Sequence, residues 1–541
     1  MTQAIGDTGA EHEGDAALAE ARRLIGEGEV EAAEIALRKH LRHHPRDAAA
    51  LTVLGEIAGR FGYLPEAEDL LRKALAIAPA YADAQLHLAN TLHGRKQSDD
   101  ALAILDDLLG RDPDNLSALG FKASILIAIR RMDEGLAVHR QMLELVPDQA
   151  PQWITYAYLL KTIGRQQDSI EAYRQSLALN PAQGAAWWSL ANLKTVKFDG
   201  EDVVAMEDGL AAARDDESRI QLHFALGKGL GDQGRFAESF DHYAVGNRLR
   251  RVQFAFDKTR LSQDVSKAET VFTPRYFAER AGAGAQARDP IFIISMHRAG
   301  STLIEQILSS HPMVEGTEEL FDIQNLAGRI AGSKGQGDSW LDDIGHLSLN
   351  ELGALGENYL KSTRMRRSSD RPYFTDKMPG NWIFAGLIRS VLPNAKIIDV
   401  RRHPMGCCFA NFTQYYAAGL HYSYDLEELG SYYRDYVRMM AHFDAVAAGT
   451  IYRVFHEMLV QDFEPEVRRL LDYLGLPFDR ACLHFHETDR PIHTPSSEQV
   501  RQPIYRDGIE FWRNYEPWLQ PLKTALGPVL ESYPDVPKDL L

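Results

Sequence analysis

The sequence predicts an all-α superhelix of short repeats, followed by an α/β domain with a mainly parallel sheet. A 34-residue periodicity runs through the first part of the chain, and a strand–turn–helix pattern follows residue 288. At 541 residues the chain is too long for one ordinary hydrophobic core. We expect four parts: a disordered N-terminus (1–14), a repeat array (15–250), a linker (251–287) and the α/β domain (288–541).

Prolines and small residues mark the repeats. Proline recurs every 34 residues, at Pro45, Pro79, Pro113, Pro147 and Pro181. Small residues recur at the same interval in two further registers: Gly55, Ala89, Ala123, Ala157 and Ala191, and Ala33, Ala67, Ala101, Gly135 and Ser169. Small residues let two helices cross closely, and proline ends the second helix because its ring interrupts the hydrogen-bond ladder. The period and residue types resemble the tetratricopeptide repeat.

Such an array predicts a role in protein recognition. Each unit leaves an apolar face that only a neighbouring unit can bury, so the units stack into a superhelix with an extended concave surface. We expect this surface to bind a protein or a peptide; the alternative is that its charged residues are merely solvated. A degenerate further unit keeps Ala225 and Ala237, and the segment before it, from about Lys197 to Arg219, is irregular enough to hold an odd helix pair.

Charge and composition argue against several other classes of protein. The net charge of −17 disfavours nucleic acids and anionic membranes as partners, because most of the surface would repel them. The N-terminal residues are acidic and polar, unlike a signal peptide, and no run of about 18 apolar residues predicts a membrane span. Cys407, Cys408 and Cys482 form neither a disulfide framework nor a zinc site, and His311 and His421 lack ligand spacing. We expect a cytoplasmic protein.

A strand, a glycine-containing turn and a helix open the second domain. Residues 291–296, IFIISM, are typical of a buried strand, and apolar residues at helical spacing begin at Leu303. The turn directs backbone N–H groups and a helix N-terminus at one point, which favours a phosphate. Its residues are His297, Arg298, Ala299, Gly300, Ser301 and Thr302. No lysine precedes the hydroxyl pair as in GxxxxGK[ST], which disfavours ATP or GTP hydrolysis and a P-loop kinase.

The segment ISMHRAGSTLIEQILSSHPMVEGTEEL resembles the 5′-phosphosulfate loop of sulfotransferases that use 3′-phosphoadenosine 5′-phosphosulfate (PAPS). It is similar in particular to bacterial proteins that fuse tetratricopeptide repeats to a sulfotransferase domain, and more distantly to tyrosylprotein sulfotransferases. The family's loop reads close to GMPRSGTTL, of which this chain keeps Arg298, Gly300, Thr302 and Leu303. The resemblance implies a three-layer, P-loop-like sulfotransferase domain over 288–541, with PAPS as co-substrate and no required metal.

Three further segments resemble sulfotransferase landmarks. In NAKIIDVRRHPMGCCFANF, a strand, basic turn and helix imply that Arg402 contacts the 3′-phosphate. The family's partner serine is replaced by Ala410, at a cost of roughly 1.5–3 kcal/mol unless Asn411 or Gln414 compensates. In IYRVFHEMLV, His456 replaces a family tyrosine. RPIHTPSSEQVRQP and the residues after it resemble the segment that folds over the nucleotide, with Ser496, Ser497, Gln499, Arg501 and Arg513 as candidate contacts.

The resemblance also implies catalytic roles. Glu319 aligns with the catalytic glutamate of tyrosylprotein sulfotransferases, which assigns it as the general base. His297 is the rival base, and the bland alternative is that Glu318 and Glu319 form a solvated acidic turn. Lys377, in FTDKMPGN, matches a family lysine near the bridging oxygen, where a cation stabilises the leaving phosphate; otherwise it is an exposed loop lysine. Arg298 shares this work.

These residues predict sulfuryl transfer from PAPS to an acceptor hydroxyl. The acceptor is expected on a protein or peptide recruited by the repeats, with a glycan or small hydroxyl compound as a variant. Retention of Arg298, Glu319, Lys377 and Arg402 favours an enzyme. Ala410 favours the alternative, a repeat scaffold whose second domain binds a nucleotide without turnover.

Overall fold

The computed structural model describes residues 18–540 except 318, 489, 491–493, 495–496, 505 and 507. It divides the chain into two compact units, Met1–Leu179 and Asn180–Leu541. The predicted disordered segment 1–14 lies outside the described residues. The repeat array was predicted to end at residue 250, whereas the first unit ends at residue 179, because the helices after residue 180 cluster with the α/β domain.

The first unit consists of antiparallel helices. After a helical stretch over residues 18–26, its helices are α1 (Val30–His43), α2 (Ala48–Arg60), α3 (Leu64–Ile77), α4 (Ala82–Gly94), α5 (Ser98–Arg111), α6 (Leu116–Ala128), α7 (Met132–Leu145), α8 (Ala150–Thr162) and α9 (Gln166–Leu179). Each odd-numbered helix ends two residues before one of the periodic prolines, as the sequence predicts. The helical repeat prediction is confirmed.

The periodic small residues lie where paired helices cross. A Cβ added to Gly55 would lie 2.7 Å from Leu71 Cγ. In a later repeat, the Ser169 hydroxyl donates a 2.8 Å hydrogen bond to the carbonyl of Ala157. Larger side chains at these crossings would force the helices apart, since protein interiors leave little free volume.

The second unit begins with four more helices and continues into an α/β domain. The first helices are α10 (Gly184–Asn192), α11 (Gly200–Ala212), α12 (Asp216–Asp232) and α13 (Phe236–Arg251), followed by α14 (Arg260–Val271) and α15 (Pro274–Glu279). The strands are β1 (Pro290–Ser295), β2 (Val314–Gly316), β3 (Tyr373–Lys377), β4 (Lys396–Arg401) and β5 (Ile451–Phe455). The irregular segment predicted before the degenerate unit holds the single helix α11.

The remaining helices connect and follow the strands. They are α16 (Ser301–Ser309), α17 (Asp322–Ile330), α18 (Trp340–Asp343), α19 (Leu349–Arg364), α20 (Ala385–Val391), α21 (Pro404–Phe412), α22 (Leu426–Val446), α23 (His456–Gln461), α24 (Phe463–Leu474), α25 (Ser497–Val500), α26 (Gln520–Leu526) and α27 (Pro528–Ser532). Short 3₁₀ helices cover Ile344–His346, Pro379–Phe384, His421–Tyr424, Arg480–Glu487, Phe511–Trp518 and Lys538–Leu540. Within the described residues, no helix has the length and apolar character to cross a membrane.

The five strands form a wholly parallel sheet in the order β2-β3-β1-β4-β5. Alternate residues of β1 face opposite sides: Ile291 and Ile293 pack in a core with α16 and α24, whereas Phe292 packs against Tyr359 of α19. Helices therefore cover both faces, as the three-layer prediction requires. In such a sheet the ligand site lies at the carboxyl ends of the strands where the strand order reverses, here beside β1.

The segment predicted as a linker, 251–287, instead contains α14 and α15. The sequence loses its repeat pattern there but keeps helical spacing in Val265, Ala268 and Phe272, which are fully buried. His442 bonds the Phe272 carbonyl at 2.8 Å, so the segment is attached to α22. Burial of an amphipathic face makes this stretch part of the domain.

The helix pair α12–α13 is also attached to the α/β domain. The Asn247 amide donates to the carbonyl of Phe412, at the end of α21, at 2.9 Å. Ser239 and Tyr515 share a 2.9 Å hydroxyl–hydroxyl hydrogen bond. Both bonds are buried, so side chains on this helix pair have fixed positions relative to α21.

Candidate active site

The loop after β1 lies at the carboxyl edge of the sheet. Residues 296–300 join β1 to α16, and Arg298 (φ 65°) and Gly300 (φ 107°) both have left-handed backbones that turn the chain sharply. A Cβ on Gly300 would lie 2.7 Å from His456 Nδ1, so only glycine fits. The loop precedes the N-terminus of a nine-residue helix, an arrangement suited to binding phosphate.

Helix α21 holds this loop in place. The carbonyl of His297 accepts hydrogen bonds from Asn411 Nδ2 at 2.7 Å and from Cys407 Sγ at 3.3 Å. On the other side, His297 Nδ1 bonds the hydroxyl of Tyr422 at 3.1 Å. Neither Cys407 nor Tyr422 had a predicted role at this loop, because residues more than a hundred positions away cannot be paired from one sequence.

Two adjacent arginines lie at the carboxyl end of β4: Arg401 is the last residue of the strand, and Arg402 follows it. Arg401 is buried and bonds Asp399 at 3.1 Å. Arg402 donates one bond to the carbonyl of Arg298 at 3.2 Å and another to the carbonyl of Gly508 at 2.8 Å. These bonds place the predicted 3′-phosphate arginine directly against the predicted 5′-phosphate loop.

A cavity of about 420 Å³ opens at this point. The predicted nucleotide-binding residues that line it are Arg298, Gly300, Ser301, Thr302, Arg402, Ala410 and Gln499. Among its described lining residues five side chains are cationic and one is a carboxylate, a net of +4 within a chain of net charge −17. The local charge of the cavity therefore favours an anion.

Other predicted binding residues lie elsewhere. Ala299 is 1% exposed and does not line the cavity, so its side chain offers no contact. Arg501 donates a 3.0 Å hydrogen bond to the carbonyl of Arg490 instead of reaching the cavity. Arg513 is over half exposed and pairs with Glu510 at 3.0 Å. Ser496 lies outside the described residues.

Neither residue suggested to compensate for Ala410 does so. Asn411 is fully buried, with its amide donating to the carbonyls of His297 and Cys407 and its oxygen accepting from Tyr416. Gln414 donates to Asn192 and to the carbonyl of Tyr415. Both side chains serve packing and loop support, so neither of them replaces the missing hydroxyl.

Lys377 and Glu319 meet at the end of β3. Lys377 is the last residue of β3 and pairs in register with Ile293 of β1. Its ammonium is 2.5 Å from Glu319 Oε1; the Lys377 side chain is 1% exposed and that of Glu319 42%. Neither lines the cavity, but both lie on the carboxyl edge that carries the loop. Lys377 is therefore buried and is not an exposed loop lysine, which was the alternative interpretation.

The imidazole of His297 belongs to the same edge. Burial, followed by the charges of Lys377 and Arg298, lowers the pKa of His297 to about 3. The Lys377 ammonium is therefore within electrostatic reach of the loop. A general base works best with a pKa near the operating pH, so His297 is a weak base at neutral pH.

Several residues that line the cavity had no predicted role. His456 carries a buried Nδ1 without a hydrogen-bond partner among the described residues, and burial lowers its pKa to about 4. Trp512 lines the cavity and stacks on His403 with ring centroids 5.5 Å apart. The substitution of a family tyrosine by His456 was a usable signal. Nothing in the sequence places Trp512 beside Arg402. In the described part of the chain, no group of three or more His, Cys, Asp or Glu side chains is placed to hold a metal.

Comparisons with known proteins find similarity in both parts of the chain. Residues 290–480 match the sulfotransferase family, and residues 14–152 and 152–183 match a cytochrome c-type biogenesis protein H TPR domain and a tetratricopeptide repeat. The chain combines tetratricopeptide repeats with a sulfotransferase-family domain. The family match covers β1 to β5, and so includes the loop, Lys377 and Arg402.

Two relatives and one solved structure are similar to parts of this chain. An uncharacterized protein of Aquifex aeolicus is 30% identical over 342 residues, 60% of this chain and 45% of that protein, so less than half of that relative is matched. A putative protein-tyrosine sulfotransferase of Caenorhabditis briggsae is 22% identical over 228 residues, 41% of this chain and 80% of that protein. The solved sulfotransferase domain of the Synechococcus PCC 7002 olefin synthase is 23% identical with a TM-score of 0.34, covering 47% of this chain and 97% of that one.

Proposed function

We propose that the sulfotransferase-family domain transfers a sulfuryl group from PAPS to an acceptor hydroxyl. The observation that carries the proposal is that the loop bearing Arg298 and the strand end bearing Arg402 line one cationic cavity. Its volume of about 420 Å³ lies in the usual range for small-molecule sites. The two phosphate-binding elements can therefore hold opposite ends of one bisphosphorylated nucleotide.

The chemistry of the cavity fits such a ligand. Buried polar atoms normally have hydrogen-bond partners. Arg402 Nε and His456 Nδ1 are buried without one among the described residues, and both residues line the cavity. Ser301 and Thr302 add hydroxyls at the helix N-terminus. An anionic nucleotide would supply the acceptors that the arginine lacks.

In the proposed reaction the acceptor oxygen attacks sulfur, the bond from sulfur to the 5′-phosphate oxygen breaks, and adenosine 3′,5′-bisphosphate leaves. Glu319 takes the proton of the acceptor hydroxyl, because it is exposed enough to meet an acceptor and His297 is a weak base. Lys377, held at the strand end, and Arg298 stabilise the negative charge that develops on the leaving phosphate.

The nucleotide preference tests this assignment. Adenosine 3′,5′-bisphosphate should raise the melting temperature of the full chain more than AMP does, because only the former engages Arg402. At a hundredfold excess over its Kd, a ligand of the folded state alone stabilises by about 2.7 kcal/mol. ADP is the matched control, since it carries two phosphates but none at the 3′ position. Equal shifts with all three nucleotides, measured by differential scanning fluorimetry, would contradict the proposal.

We propose further that the acceptor lies on a protein or peptide recruited by the repeats of the first unit. Solenoid surfaces of this kind are extended and suited to polypeptide ligands. A chain beginning at residue 180 retains every described residue that lines the cavity. It should bind adenosine 3′,5′-bisphosphate normally but show a raised KM for the polypeptide acceptor. An unchanged KM in a labelled-sulfate transfer assay would assign the repeats a structural role.

The second candidate function is a nucleotide-binding scaffold without turnover. It is favoured by Ala410, since Asn411 and Gln414 do not replace the missing hydroxyl. Under this alternative the nucleotide preference would persist, but no sulfuryl transfer to any acceptor would occur. The Lys377–Glu319 pair at the sheet edge favours the enzyme.

A further inference from the structure

Three lysines from outside the α/β fold line the same cavity. Lys194 and Lys197 lie in the turn after α10, and Lys228 lies in α12. Asp232, at the end of α12, is the lining carboxylate noted above. These lysines precede the sulfotransferase-family match, which begins at residue 290, and the sequence analysis gave them no role.

Their position along the cavity follows from helix α21. Gly406, Ala410 and Thr413 line the cavity at helical spacing, and a Cβ on Gly406 would lie 3.4 Å from Arg402 Nε. Arg402 is therefore near the start of α21, and Ala410 and Thr413 lie progressively further along it. These cavity-lining residues of α21 serve as the reference for the positions of the three lysines.

Helix α13 locates them near the far end of α21. Asn247 bonds the carbonyl of Phe412, next to Thr413, and its amide also bonds the carbonyl of Tyr243 one turn earlier. A Cβ on Gly227 would lie 2.7 Å from the ring of Tyr243, so α12 and α13 cross closely at these two residues. Lys228 is the next residue of α12 and lies beside this crossing. Lys228 therefore lies beside the helix that is bonded to the end of α21, and it lines the same cavity as Arg402 and Ala410.

We propose that Lys228, flanked by Lys194 and Lys197, binds the 3′-phosphate of the nucleotide together with Arg402 and replaces the hydroxyl missing at Ala410. The inference rests on the proposed function and extends it. The helical segment before the sulfotransferase-family domain then supplies part of the nucleotide site.

The surroundings of Lys228 suit this role. Its side chain is 18% exposed, and its ammonium donates to the carbonyl of Val196 at 3.1 Å and to Asp232 at 2.5 Å. An ammonium has three donors, and these two oxygens are its hydrogen-bond acceptors within the described residues. The ammonium also lies 5.8 Å from the centroid of the Phe198 ring, a weaker contact that still allows the third N–H to bind an anion. Burial lowers the pKa of Lys228, which a phosphate dianion would oppose.

Asp232 orients the lysines without cancelling their charge. Its carboxylate also lies 3.5 Å from the ammonium of Lys197 and accepts the backbone N–H of Phe198 at 3.3 Å. The three lysines and this carboxylate carry a net charge of +2. Lys228 of α12 and Lys197 of the α10–α11 turn both contact Asp232, so these two lysines are held together before any ligand arrives.

The test measures nucleotide affinity of the full chain by isothermal titration calorimetry. Lys228→Met keeps the aliphatic stem and removes the charge. It should weaken adenosine 3′,5′-bisphosphate binding by roughly tenfold or more, the loss expected for a charge-assisted hydrogen bond, while AMP affinity changes less than twofold. Lys197→Met changes a side chain that is 79% exposed, so a loss of affinity in this variant would not come from misfolding. It should weaken bisphosphate binding as well, but by less than Lys228→Met does. Arg235→Met, an exposed cation of the same helix pair, is the matched control.

A second variant restores the missing hydroxyl. Ala410→Ser, added to Lys228→Met, should recover part of the lost affinity for the 3′-phosphate. If the unaltered chain prefers the bisphosphate and both lysine variants keep that preference in full, the lysine proposal is overturned and the proposed function stands. If the unaltered chain binds AMP and the bisphosphate equally, both fall together.

Discussion

Replacing Glu319 with glutamine should lower the rate of sulfuryl transfer by roughly 10²–10⁴-fold, the usual contribution of a general base. Glutamine keeps the shape of the side chain and can still accept a hydrogen bond from Lys377 through its amide oxygen. It cannot take the proton of an acceptor hydroxyl. The measurement is transfer of labelled sulfate from PAPS, at saturating nucleotide, to the acceptor that the unaltered chain modifies.

The matched control for Glu319→Gln is Glu357→Gln, an exposed carboxylate on α19. It should leave transfer unchanged. Affinity for adenosine 3′,5′-bisphosphate should be the same in both variants, because Glu319 does not line the nucleotide cavity. Full transfer by Glu319→Gln would remove this residue from the base role and leave the weakly basic His297 as the remaining candidate.

Replacing Arg402 with alanine should weaken binding of adenosine 3′,5′-bisphosphate by roughly 10–150-fold, corresponding to the 1.5–3 kcal/mol of hydrogen bonds to a charged group. AMP binding should change far less, since AMP lacks the 3′-phosphate. The variant also loses bonds to the carbonyls of Arg298 and Gly508, so Arg402→Lys is the companion that keeps a positive charge. We expect intermediate affinity for it, because lysine cannot form a two-pronged contact.

Arg468→Ala is the control for Arg402→Ala, since this arginine lies on α24, about half exposed, and pairs with Glu464. Its nucleotide affinities should match those of the unaltered chain. An equal loss of AMP and bisphosphate affinity in Arg402→Ala would show that the residue supports the loop through Arg298 rather than reading the 3′-phosphate.

The repeat architecture was readable from the sequence because its determinants are local. A proline ends a helix, and a small residue permits a crossing, whatever lies elsewhere in the chain. The same holds for the strand, loop and helix around Gly300, whose left-handed backbone the structure shows. The segment 251–287 was misread as a linker because the loss of one periodicity was taken as the loss of structure, although Phe272 and its neighbours keep a buried helical face.

The candidate site likewise contains some residues that motifs predict and others that only the folded structure brings there. Arg298, Gly300 and Arg402 were assigned from motifs, and the structure brings them to one cavity. The support of the loop by Asn411 and the contribution of Lys228 were not foreseen. Each depends on which of many possible partners the fold places within a few ångströms, and the sequence separations exceed any local pattern.

By itself, the sequence determined the helical repeats, the parallel α/β domain and the residue types at the phosphate loop, because hydrophobic period and backbone sterics act over a few neighbouring residues. Only the tertiary structure decided that the helices after residue 180 belong with the α/β domain and that their lysines line the cationic cavity. The reason is physical: a helix buries its apolar face against whatever surface is complementary, and complementarity between distant segments exists only once the chain has folded.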